Sequence, residues 1–146
     1  MCIRDSHVTD DVLLIAKAAV GKLTEPPTSK PASVVDGFVL ADACRWYEFE
    51  VVRLDDAEER TTIECNIVER GRIRDFFGFN RAKHAVLEAA ILATRVGIIS
   101  DKEIVDGIER LKILVSKTGG PAEHEAFELL DKYVNHAIAG NASERE

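Results

Sequence analysis

The sequence predicts an α+β protein, and three observations carry that reading. Between Asp36 and Phe77 apolar residues alternate with polar ones, the period of strands with two unlike faces. On either side of that stretch they recur every three or four positions, the period of a helix. A hydrophobic fraction of 46% and a charged fraction of 31% over 146 residues suffice for one domain, or one with a small appendage, without disulfide or metal staples.

The first helix is expected after Thr9-Asp10-Asp11, where short acceptors and negative charge suit a helix start. Val12, Ala16, Ala19 and Leu23 mark its apolar stripe, and Gly21 weakens its far end. Residues 24–33 hold three of the four prolines and read as a surface loop. Residues 38–41 suggest a short strand, Trp46, Phe49, Val51 and Val52 a longer one, and Ile63, Cys65 and Ile67 a third. The charged run 55–60 turns the last two into an antiparallel pair with one buried face. Cys44 and Cys65 are expected to pack there as small hydrophobes.

The second half is helical. A helix opens near Asn80 and runs to about Val96, with Gly97 suited to its C-terminal turn. Ala82, Ala85, Val86, Leu87, Ala89, Ala90, Ile91, Leu92 and Ala93 make it apolar nearly all round, which predicts burial. Ser100-Asp101-Lys102-Glu103 spells a capping box, with Ile99 and Ile104 placed for a hydrophobic staple. The helix it opens buries Ile104, Ile108, Leu111 and Val115 and stops at Gly119-Gly120. Pro121 suits the first position of a last helix, whose stripe is Ala126, Leu129 or Leu130, Tyr133 and Ala137. The tail from Gly140 is polar and reads as frayed.

Charge and composition exclude several functions. Nineteen basic residues against 26 acidic ones, net −7, argue against non-specific binding of nucleic acid or anionic membranes. No apolar run approaches the ~18 residues of a membrane span. Cys2, Cys44 and Cys65 form no CxxC and leave one odd, which points to a reduced cytoplasm and away from the usual zinc sites.

The chemistry concentrates between Arg70 and His84. Five basic residues (Arg70, Arg72, Arg74, Arg81, Lys83) share that stretch with one acidic residue, Asp75. Arg81 and Lys83 fall in the first turn of a helix, where the macrodipole disfavours cations by a few tenths to ~1 kcal/mol. An anionic ligand at the helix start would relieve this; pairing with Asp75, or solvation, would account for it equally. Arg81, His84, Glu88 and Arg95 form one polar stripe, suited to a site, a subunit seam or a structural network. His84 and Glu88 lack the second histidine of a zinc-protease helix, and Lys117-Thr118-Gly119-Gly120 holds P-loop letters in the wrong order. His124 and His136 are expected to face solvent, and no Ser/His/Asp or Cys/His set follows from spacing.

Two runs, HVTDDVLLIAKAAVG (7–21) and RDFFGFNRAKHAVLEAAILATR (74–95), exceed pattern reasoning. With LADACRWYEFEV (40–51) and KTGGPAEHEAF (117–127) they resemble the archaeal and bacterial family called domain of unknown function 447. The resemblance implies a partial FMN-binding split β-barrel of antiparallel strands, followed by a helical C-terminal region of about three helices. Residues 7–78 would be the latter part of the barrel with one helix, 79–140 the helical region and 141–146 a frayed tail. The opening MCIRDS (1–6) is similar to adapter-derived runs in translated environmental sequences and is expected to be a non-native leader. By the same resemblance the flavin-phosphate segment lies upstream of His7, so this chain is expected to be an inactive fragment. The intact protein would be a cytoplasmic, homodimeric FMN protein with an oxidoreductase-like reaction that the family leaves unassigned. His7, Thr9, Asn80, Arg81 and Lys83 are the residues expected nearest the flavin. The alternative is a non-catalytic dimerisation domain, or one that binds an anionic metabolite.

Overall fold

The computed structural model describes residues 4–143. The fold is α+β, with antiparallel sheets and four helices, and the chain divides into two compact units. One comprises the residues up to Asp10 with Pro27–Phe76; the other comprises Asp11–Pro26 with the residues from Phe77 onward.

The first unit is all strand. β4 (Arg45–Asp55) lies between β1 (Asp5–Val8) and β5 (Thr62–Arg72), antiparallel to both. β2 (Ser29–Pro31) and β3 (Phe38–Leu40) make a second, two-stranded sheet. Two side chains of β1 tie the sheets together: the Phe38 amide donates to Asp5 Oδ2 at 3.3 Å, and the Leu40 amide to His7 Nε2 at 3.2 Å. Gly37 leaves room there for the Asp5 carboxylate, which a Cβ would push aside. Gly71 lies opposite Trp46, and a Cβ on it would come within 2.7 Å of the indole.

As expected of a partial barrel, the strands of the described residues form open antiparallel sheets and no closed barrel. Other expectations change in this unit. Residues 24–33 are not all loop, since Ser29–Pro31 pairs with Phe38–Leu40. Pro31 lacks a donor but sits in a sheet of only two strands, where no second neighbour requires one. Asp5 and Ser6, read as leader, pair with Glu48 and Tyr47; residues 1–3 of that segment lie outside the described residues. The hairpin's apolar face is not buried. Two register shifts, at Glu48/Phe49 and Val51/Arg53, bring Phe49, Val51 and Leu54 opposite Ile67, Cys65 and Ile63. Val51, Leu54, Cys65 and Ile67 on that face are exposed, while Cys44 is buried as expected.

The second unit is helical. Asp11 caps α1 (Val12–Ala19) by accepting the Leu14 amide at 3.0 Å, and the helix buries Val12 and Ala16. It packs with the C-terminal helices, because its apolar stripe joins theirs. α2 (Arg81–Thr94) touches all three others and buries Ala82, Ala85, Val86, Ala89, Ala90 and Ala93. Alanine suits this central position, where a larger side chain would hold neighbouring backbones apart. α3 (Asp101–Thr118) starts from Ser100, whose hydroxyl accepts the Glu103 amide at 3.3 Å, and places Gly107 against Leu92 of α2. α4 (Pro121–Ser143) opens on the predicted proline and runs through 141–143, residues assigned to the frayed tail; 144–146 lie outside the described residues. No helix among the described residues is long and apolar enough to cross a membrane.

Candidate functional site

The start of α2 is the candidate site of the helical unit, and its geometry begins one residue before the helix. Gly78 adopts φ +97°, a conformation that a side chain would strain, and this turn carries the chain from Phe77 to the cap. Asn80 is extended, with φ −137° and ψ 124°, and its Oδ1 accepts the Lys83 amide at 3.0 Å. That bond satisfies the third amide of the helix. The amides of Arg81 and Ala82, in the same first turn, have no acceptor within the helix.

The cations of the cluster separate into two kinds. Lys83 Nζ lies 2.9 Å from Glu123 Oε1 and 5.6 Å from the centre of the Phe77 ring. Burial pushes the Glu123 carboxyl up, but the Lys83 ammonium and the Gly120 amide, donating at 2.8 Å, hold it below the usual carboxylate range. In the strand unit Arg72 pairs with Asp75 at 2.9 Å. Arg74 reaches the buried Asp10 at 2.7 Å and Asp42 at 2.9 Å, which raise its pKa further. Internal pairing therefore accounts for Arg72, Arg74 and Lys83. Arg70 in the strand unit and Arg81 at the start of α2 differ: both are exposed, and among the described residues no carboxylate pairs with either side chain.

The aromatic residues of this segment are unusual. Phe79 is 98% exposed, and its ring lies 6.1 Å between centroids and 23° between planes from that of His84. Arg81, His84, Glu88 and Arg95 are all exposed, so the polar stripe read from the sequence faces solvent.

Asn80, Arg81 and Lys83 are thus brought together at one helix start. His7 and Thr9 belong to the strand unit, within β1 and just beyond its end. There His7 has a local role, because its Nε2 accepts the Leu40 amide. Among the described residues no group of three His, Cys, Asp or Glu side chains is arranged to hold a metal ion.

Spacing gives no sign of Glu48, a carboxylate that accepts four hydrogen bonds. It is fully buried on β4, and its oxygens accept the Ser33 amide at 2.8 Å, the Ser33 hydroxyl at 2.9 Å and the Val34 and Val35 amides at 2.6 and 3.0 Å. Burial pushes its pKa up, but these four bonds outweigh that and bring it down to about 2. A glutamate in an alternating strand reads as solvent-facing. Only the return of a loop 13 to 15 residues away makes it an anchor.

Two stretches of the chain match a protein family described as "Protein of unknown function (DUF447)": residues 6–74 match its N-terminal domain and residues 80–132 its C-terminal part. The fold is similar to the crystal structure of FMN-bound protein MM1853 from Methanosarcina mazei, itself assigned to DUF447. The TM-score is 0.75 and the identity 27%, over 88% of this chain and 70% of that one. No curated protein matches the chain.

Proposed function

The chain belongs to the DUF447 family, and from this we propose that it is a flavin mononucleotide-binding protein. The observation that carries the proposal is the FMN-bound state of a relative that aligns with 88% of this chain. The start of α2 fits one part of that ligand. A phosphate there would meet the first-turn amides of Arg81 and Ala82, the positive end of the helix and an unpaired guanidinium, three features that favour an anion. Asn80 fixes the turn that presents them, and Lys83, tied to Glu123, adds positive charge from behind. His7 and Thr9 are retained as candidates on the strand unit.

Bound flavin supplies hydride- and electron-transfer chemistry, while the protein contributes placement and electrostatics. At the start of α2 no nucleophile is paired with a base, so the reaction is not assigned from these side chains. An oxidoreductase role in the intact protein would appear as NAD(P)H oxidation by the flavin-loaded form. A flavin complex inert to every donor would favour the non-catalytic alternative. The test of binding is titration of the purified protein with FMN, followed by quenching of flavin fluorescence. Saturable quenching with one FMN per chain supports the reading, and its absence up to millimolar FMN overturns it.

A further inference from the structure

We propose that Phe79, backed by His84, is the stacking platform for the isoalloxazine ring, and so selects a planar aromatic ligand independently of the phosphate contacts. This rests on the flavin-binding reading above and extends it to Phe79, which the sequence did not single out, and to its neighbour His84.

The first observation is exposure. A buried phenylalanine gains from leaving water, and Phe79 forgoes nearly all of that gain at 98% exposure. Its position is also fixed. Gly78 at φ +97° turns the chain on one side, and the Asn80 cap holds the helix start on the other. The backbone that carries the ring is therefore set at a defined place beside α2. His84, one turn into the helix, lies at 23° to it with centroids 6.1 Å apart, within the range of an offset stack.

The second observation is charge. Arg81 follows the ring by two residues and carries a positive charge that no described carboxylate pairs with. A ligand with a flat apolar part and an anionic part matches that juxtaposition of open ring and open cation. FMN has both, and riboflavin has only the ring. A second copy of the chain would cover the ring but would need a carboxylate brought to Arg81. The flavin accounts for both features at once.

The experiment compares FMN and riboflavin binding to the wild-type protein, Phe79→Ala, Phe79→Trp and Arg81→Ala by fluorescence quenching, with circular dichroism to check the fold. Because the Phe79 side chain is nearly fully exposed, its removal leaves the fold intact. Phe79→Ala is expected to weaken FMN and riboflavin by the same factor, about tenfold, the scale of one lost aromatic stack. Phe79→Trp is expected to restore both, and Arg81→Ala to weaken FMN while sparing riboflavin. If the wild-type protein binds FMN and Phe79→Ala binds both ligands unchanged, the platform is refuted while the flavin-binding reading stands. If the wild-type protein binds neither ligand, that reading fails and the platform with it. If Phe79→Ala alters the sedimentation coefficient but neither affinity, the ring contacts a second copy and the proposal is wrong.

Discussion

At the scale of single residues, two charges have opposite roles. Glu48 is an anion that the fold itself surrounds with donors, and its acidity makes a pH prediction. Its pKa in the folded chain, about 2, lies below the unaltered value of 4.5. A carboxylate with a lowered folded pKa stabilises fully above its unfolded pKa, and that contribution fades as pH falls through the window from 4.5 toward 2. Glu48→Gln would turn an amide NH₂ toward backbone donors. The variant is expected to unfold at lower denaturant near neutral pH, and to show a shallower loss of stability across that acid window, measured by urea melts at successive pH values. Arg81 is the converse, a cation left open at a helix start. Arg81→Ala is expected to weaken FMN binding by about 1.5–3 kcal/mol, the range for a hydrogen bond to a charged group. It should leave the urea midpoint unchanged or slightly raised, because an unfavourable dipole interaction is removed. Clear destabilisation with FMN affinity intact would assign Arg81 a structural role.

At the scale of elements, α2 is the helix around which the helical unit is built. Ala85, Ala89, Ala90 and Ala93 are buried, and the helix meets α1, α3 and α4. Small side chains on several faces let three neighbours approach one axis, so added volume has no free direction. Ala89→Leu is expected to cost roughly 1–3 kcal/mol by overpacking. Chemical denaturation followed by circular dichroism would read this directly, and an unchanged midpoint would place Ala89 at the surface. The close approach of α3 has the same cause. Gly107 leaves room for the Leu92 side chain, which a Cβ would meet at 2.6 Å.

At the scale of the whole molecule, the β4–β5 hairpin presents an apolar face with no cover within the described chain. Val51, Leu54 and Ile67 are exposed on it, Ile67 by 58%. The outer edges of β1 and β5 likewise have no neighbouring strand within their three-stranded sheet. Open edges beside an apolar face favour association through strands or side chains. A homodimer remains our proposal for the assembled protein, and this face gives it a test. Ile67→Lys is expected to leave helical content and urea midpoint nearly unchanged, as exposed substitutions do, while reducing self-association in sedimentation velocity. Equal sedimentation of the two proteins would remove this face from any interface.

Local pattern alone determined the four helices and the strands β3 to β5, the caps at Asp11, Asn80 and Ser100, and the alanine interior of α2. Each depends on residues within about one turn, or on a short period, of one another. The resemblance of 7–21 and 74–95 to a known family supplied the flavin, which no periodicity contains. Tertiary structure decided the rest. It placed α1 among the C-terminal helices, continued α4 through 141–143 and paired Ser29–Pro31 with a strand. It also matched Arg72, Arg74 and Lys83 to carboxylates, leaving Arg81 as the exposed cation of the α2 start, and it closed the Ser33–Val35 amides around Glu48. These outcomes depend on distant partners, 64 positions apart for Asp10 and Arg74 and 108 apart for Lys17 and Glu125. A spacing rule does not reach that far, because which carboxylate meets which cation is fixed only when the sheets and helices have packed.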